Sequence, residues 1–205
     1  LTSFLLPQDK KISKEVFLLS FPIILSNLSR VLMSVVDVAM VGHLGPEALA
    51  ATGMGGMLAW GALSIVLGIR TSVQTITSRR LGQKKPKECI NALNNGFLLA
   101  SIYSIPISLL GWTYGYLIIP LFITDSITTP IAISYFSISS IGIFFNALSF
   151  VFQGFYTGIE KTKIHLNVTI TSNIINAYLN AGFIYGKAKL GYLFGSQTNS
   201  FFDLS

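Results

Sequence analysis

Asp37 is a carboxylate inside an apolar stretch, Val16 to Val41, whose only other charge is Arg30. An acid in a hydrocarbon environment is costly, and such residues face a bundle interior or a wet cavity where protons or ions move. Asn27, Arg30, Ser34 and Asp37 recur at intervals of three, four and three, which puts them on one face of a helix. Thr169, Asn173, Asn176 and Asn180 repeat the pattern, with His165 one turn earlier. Two further stripes come from Asn146, Ser149 and Gln153, and from Arg70, Gln74 and Thr77. Side chains of these kinds can take up a proton or a hard cation and can line a polar path for a substrate.

A plainer role competes with that one, because Ser, Thr and Asn also hold membrane helices together, at roughly 0.6–2 kcal/mol per contact. Four polar stripes and an acid exceed what such glue requires, so a water-filled cavity is the better reading. Arg30 does not neutralise Asp37 directly, since seven helical residues separate them by about 10 Å along the axis. Arg70 is expected nearer to Arg30 in depth, serving a substrate, a lipid headgroup or a helix carboxyl end, with snorkelling to the inner surface as its plain alternative.

The elements that must position these residues are membrane spans. The stretch from Val16 to Val41 exceeds the roughly 20 helical residues needed to cross a bilayer core, and four more candidates follow. They run from about Ala48 to Ser78, Ala92 to Tyr116, Ile131 to Thr157 and Ile164 to Tyr185. Hydrophobic residues make up 51% of the chain and charged ones only 11%, with a mean hydropathy of +0.64. That composition excludes a soluble domain and predicts an all-α, polytopic transmembrane bundle of about five spans in a lipid bilayer. Residues 1–15 form an amino-terminal arm, 16–186 the bundle and 187–205 a short tail.

The net charge of +6 does not indicate nucleic acid, because the basic residues lie between apolar segments rather than on one patch. They read as topology signals. Lys10, Lys11 and Lys14 precede the first span, Arg79, Arg80, Lys84, Lys85 and Lys87 follow the second, and Lys161 and Lys163 follow the fourth. Only Lys187 and Lys189 fall on the other side. The balance, ten against two, predicts a cytoplasmic amino terminus in a multi-pass protein of the cell (inner) membrane. No cleavable signal is evident, so the first segment stays as a span. Tyr103, Trp112, Tyr114 and Tyr116 include interfacial anchors near the outer end of the third span.

Enzyme signatures are missing. His43 and His165 are isolated, no GxSxG or phosphate loop occurs, and no carboxylate pair lies within the spans, so neither catalysis nor a metal or other cofactor is expected. Asp9, Glu15, Glu47, Glu88, Asp125, Glu160 and Asp203 read as solvated charges, and Cys89 as a structural thiol. Gly154 and Gly158 form a GxxxG that would let a neighbouring backbone approach, although chance spacing is as common at this glycine content. Pro22 and Pro106 permit bending of the first and third spans.

Several segments together resemble the multidrug and toxic compound extrusion (MATE) family. PIILSNL at Pro22 to Leu28, Val36 and Asp37, and MVGHLGPEALAA at Met40 to Ala51 are similar to its first helix and loop. Gly68 to Gly82 resembles the second helix and its basic exit, Gly154 to Lys163 the connection from fourth to fifth helix, and Asn176 to Lys187 the fifth helix. The resemblance runs in order from about Val16 to Lys189. It implies two six-helix lobes around a central cavity, and export of small organic cations in exchange for H⁺ or Na⁺. Asp37 matches the amino-lobe acid that takes up the coupling ion, and Asn176 a neighbouring polar ligand. Asn180 stands where some branches carry a second carboxylate, which makes protonation of Asp37 alone the simpler coupling. The resemblance also implies twelve helices, where five are expected here. Leu190 to Ser205 is too short and polar for a sixth span and is expected to be a truncated or frameshifted end, with the second lobe supplied by another chain if at all. Two other outcomes stay open: a non-transporting membrane remnant, and a flippase of lipid-linked oligosaccharides that would use Arg30 and Arg70 on an anionic headgroup.

Overall fold

A computed structural model of the chain describes residues 10–184, and these form five long helices. They are α1 (Lys10–Gly42), α2 (Pro46–Gly82), α3 (Pro86–Ile118), α4 (Thr128–Gly158) and α5 (Thr162–Ile184), with a single 3₁₀ turn at Ile119–Leu121. The first four expected spans each lie within one helix, and the fifth does so as far as residue 184, where the described residues end. The helices run beyond the apolar runs because their polar ends, such as Lys11 to Glu15 and Ser78 to Gly82, keep the helical backbone once it has left hydrocarbon. At 1.5 Å per residue, α2 is about 55 Å long and must project past a bilayer core of about 30 Å. Helices α1 and α3 continue through Pro22 and Pro106.

Four of the helices are long and apolar enough to cross a membrane, and α5 is not among them. Its run of Asn167, Asn173, Asn176 and Asn180 dilutes the hydropathy that its aliphatic residues supply. The tail expected to be truncated or out of frame, together with Lys187 and Lys189, lies outside the described residues.

Tight connections end three of the helices. Gly45, at φ +111°, opens α2 immediately before Pro46, where a side chain would be strained. Arg80 and Lys85 both pair with Glu88, at 2.9 and 3.0 Å, across the turn between α2 and α3. Glu88 therefore fastens that turn rather than standing free in solvent. Asp125, also expected to be merely solvated, starts α4: its carboxylate accepts hydrogen bonds from the backbone N–H of Thr128 at 2.8 Å and from the Thr128 hydroxyl at 2.6 Å.

Two kinds of packing follow. Helices α2, α3 and α4 form a cluster around Val66, Val73, Ala100, Ile143, Ala147 and Val151. Close approach in this cluster rests on small residues. A side chain added at Gly154 would fall on the backbone carbonyl of Arg70, and one at Gly158 on that of Gln74. The GxxxG is thus a true contact between α4 and α2. Tyr103, grouped with the interfacial aromatics, instead donates its hydroxyl to the carbonyl of Ala62 at 2.8 Å and joins α3 to α2. Cys89 is buried with its sulfur 3.6 Å from the carbonyl of Thr77, as a structural thiol should be.

Helix α1 packs chiefly on α5 and only touches α2. Almost none of its side chains are buried, and Phe17, Val31, Leu32 and Val35 all stand exposed. That pair is joined by polar side chains.

Candidate functional site

Asp37 lies a little over one turn before the end of α1, and its Oδ1 accepts a hydrogen bond of 2.6 Å from Nδ2 of Asn180 on α5. The same Asn180 amide donates to Oδ1 of Asn176, one turn earlier, at 3.0 Å. About two turns down the pair, Asn173 Nδ2 donates to the Ser29 hydroxyl at 2.8 Å. The two cross-links join residues 143 and 144 positions apart. A nearly constant offset means that α1 and α5 run in the same direction.

The Asp37 carboxylate is half-buried, and no lysine, arginine or histidine lies within ion-pair distance of it among the described residues. Asn180 meets it through the amide N–H, which is shared with Oδ1 of Asn176. A carboxylate can take up a proton or, as an oxygen ligand, a hard monovalent cation. It does not suit a transition metal, and no cluster of three His, Cys, Asp or Glu occurs among the described residues.

The other candidate residues divide into two groups. Arg30 on α1 and Arg70 on α2 are half-buried, and His165 on α5 is buried. Gln153, beside Gly154 on α4, buries its Oε1 with no hydrogen-bond partner. In contrast, Asn146 turns its amide back to the carbonyl of Gly142 in its own helix at 3.0 Å. Asn27, Ser34, Asn146 and Asn176 are all exposed on the surface of this chain. A groove of about 770 Å³ between α2 and α3, lined among others by Val73, Arg80, Asn91 and Asn95, contains none of the candidate residues. Asp37 occupies an open face instead of a closed pocket.

One participant lies outside the polar stripes. Ser29 is adjacent to Arg30 and one position off the polar stripe of α1, yet it carries the contact to Asn173. Thr169 holds Nδ1 of His165 at 3.0 Å, a pairing one turn apart that the stripe on α5 does contain.

Comparison with known proteins places this arrangement. The family model MatE matches residues 22–181, which takes in α1 from Pro22 and nearly all of the rest of the described bundle. A probable multidrug resistance protein NorM of Photorhabdus laumondii is 32% identical over 179 residues, covering 86% of this chain and 39% of that protein. One from Bacillus subtilis is 26% identical over 182 residues, with 89% and 40% covered. The chain therefore spans about 40% of the length of the curated relatives it matches. Among solved structures, an outward-facing multidrug resistance transporter of the MATE family superposes with a TM-score of 0.79 at 21% identity, over 88% of this chain and 41% of that one. A MOP superfamily transporter from Pyrococcus furiosus, described as having a binding pocket of reverse polarity, matches with the same TM-score over 40% of its length. These two establish likeness of fold.

Proposed function

Since this chain belongs to the MatE family, we propose that it is the amino-lobe portion of a secondary antiporter that exports organic cations in exchange for H⁺ or Na⁺. The observation that carries the reading is the Asp37 carboxylate, bonded to Asn180 and beside Asn176, with no basic partner among the described residues. A carboxylate placed so holds one negative charge that a cation, a proton or Na⁺ can satisfy in turn. Exchange requires that the coupling ion and the cargo prefer different conformations of the protein. Occupancy of Asp37 by H⁺ or Na⁺ would weaken the attraction for a cationic cargo, and its release would restore that attraction. Asn27, Ser34, Asn146 and Asn176 are uncovered polar residues on membrane helices, which fits a wet cavity that a second lobe completes. The relatives supply the cargo class, being probable multidrug resistance proteins. The same logic keeps the amino terminus cytoplasmic, with the basic turns after α2 and α4 on that side.

The test is ethidium export from cells lacking their own efflux pumps, with this chain expressed alone and together with a carboxyl-terminal lobe. Export is expected only with both lobes, and Asp37→Asn should reduce it at least about tenfold, the factor that corresponds to about 1.4 kcal/mol. Export unaffected by Asp37→Asn would overturn the assignment. The coverage of about 40% favours a second reading, a lobe that inserts but moves nothing by itself. Absence of export in both arms, with stable insertion, would favour it.

A further inference from the structure

Helices α2 and α3 each pack closely on α4 but meet one another less, and the groove of about 770 Å³ runs between them. Its floor is the contact of Gly96 with Val73, where an added side chain would clash. Its α2 wall is open at Gly68, where one would meet nothing within 4 Å. Ile65, Ile69, Ile76 and Leu99 give the groove an apolar surface, while Arg80, Glu88, Asn91 and Asn95 make it polar towards the turn between α2 and α3. From Ile65 to Arg80 the α2 wall rises about 22 Å at 1.5 Å per residue. That length is close to one leaflet with its headgroup region, half of about 40–45 Å. Spread over it, the volume gives a slot of roughly 35 Å² in section, under half that of a helix about 10 Å across. The slot takes hydrocarbon chains and is too narrow to seat a further helix.

The charged end carries one group of each sign. Arg80 Nε stands 2.9 Å from Glu88, and Lys85 Nζ reaches the other oxygen of the same carboxylate at 3.0 Å. Arg80 also donates from Nη1 to the side-chain oxygen of Gln83 at 3.0 Å. Capacity is left on both sides of the pair: Nη2 of Arg80 is still a donor, and each Glu88 oxygen can accept a second bond. Asn91 and Asn95, exposed along the α3 wall below Glu88, add amide oxygens. A headgroup that matches this end carries a phosphate for Arg80 and an ammonium with N–H bonds for Glu88 and the asparagines. Ethanolamine meets that requirement, whereas choline has no N–H and glycerol has no positive charge.

We propose that the groove between α2 and α3 is a seat for one phosphatidylethanolamine molecule, its acyl chains along Ile65, Ile69 and Leu99 and its headgroup on Arg80 and Glu88. This lipid is a resident of the bundle rather than a cargo, and its seat is separate from Asp37. The proposal does not depend on whether Asp37 couples export.

The test is native mass spectrometry of the purified chain after reconstitution in an equimolar mixture of phosphatidylethanolamine, phosphatidylcholine and phosphatidylglycerol. Phosphatidylethanolamine should be retained about tenfold over either competitor, as expected for a charge-assisted hydrogen bond. Glu88→Gln should bring it down to the level of phosphatidylcholine. Gly68→Leu fills the open wall and should remove the retained lipid whatever its headgroup, and because it leaves the turn intact it tests the groove even where Glu88→Gln loosens that turn. Gly61→Leu adds the same bulk to α2 outside the groove, again with nothing within 4 Å, and should retain lipid as the native chain does. Equal retention of the three lipids, or preference for phosphatidylglycerol, would overturn the proposal. So would native retention in Gly68→Leu, or loss of the lipid on co-expression with a carboxyl-terminal lobe, which would make the groove a seat for protein.

Discussion

At the scale of single residues, the seam between α1 and α5 is a ladder of short polar contacts, with Asn180 on Asp37 at one rung and Asn173 on Ser29 at the other. In a membrane such a side-chain bond contributes about 0.6 kcal/mol on average, because the separated helices find other partners. A double-mutant cycle of Ser29→Ala and Asn173→Ala, read as unfolding free energy in detergent, should therefore give a coupling of about 0.6 kcal/mol. A coupling indistinguishable from zero would remove that rung. Asp37, Asn176 and Asn180 were legible because three- and four-residue spacing fixes which side chains share a face. Ser29 was not, since the partner of a residue depends on how each helix is rotated about its axis, and one-dimensional spacing does not contain that angle.

Among the elements, the long apolar runs foretold the helices, while their polar ends and the true contacts between them were harder to read. Ala92, Gly96, Ala100, Ser104, Ser108, Gly111 and Gly115 are all buried along α3, at spacings of three and four. That stripe of small residues is visible in the sequence, but scattered glycines and serines attract less notice than charges in hydrocarbon. The GxxxG of α4 is visible in the sequence, and only the structure shows that Gly154 meets the backbone of Arg70. Gly154→Ala should destabilise the cluster by about 1–3 kcal/mol through overpacking. Gly53→Ala, where a side chain meets nothing within 4 Å, should be neutral or stabilise by up to about 1 kcal/mol through helix propensity. Detergent unfolding of both variants checks the contrast, and equal effects would contradict the close approach.

The start of α4 gives a further prediction at this scale. Hydrogen bonds from Thr128 hold the Asp125 carboxyl below its ordinary value. A group depressed in the folded state stabilises above its unfolded value and loses that contribution as pH falls through the folded one. Amide exchange at Thr128 and Thr129 should therefore be slow at neutral pH, relative to the intrinsic rate, and lose protection below the ordinary carboxylate range. Asp125→Asn should flatten that dependence. Protection unchanged on acidification would show that the carboxylate does not hold the helix start.

For the whole molecule, the unexpected feature is which helices pair. Consecutive elements are usually neighbours, yet α1 packs chiefly on α5, and α2 to α4 form their own cluster. Loop-charge alternation predicts a direction for each span but holds nothing about the order of helices around a bundle. The result is a bundle with a small-residue cluster of α2, α3 and α4 and a separate, largely exposed pair of α1 and α5 that carries Asp37. Its fold matches 40% to 41% of the length of two solved transporters.

The most direct test of the central claim is equilibrium binding of tetraphenylphosphonium to the purified chain, measured across pH and Na⁺ concentration for the native protein and Asp37→Asn. Competition at one carboxylate predicts that acid or Na⁺ weakens binding to the native chain about tenfold or more, and that Asp37→Asn binds weakly with no such dependence. Native binding that neither ion alters, or the same dependence retained in Asp37→Asn, would contradict Asp37 as the residue where cargo and coupling ion exchange.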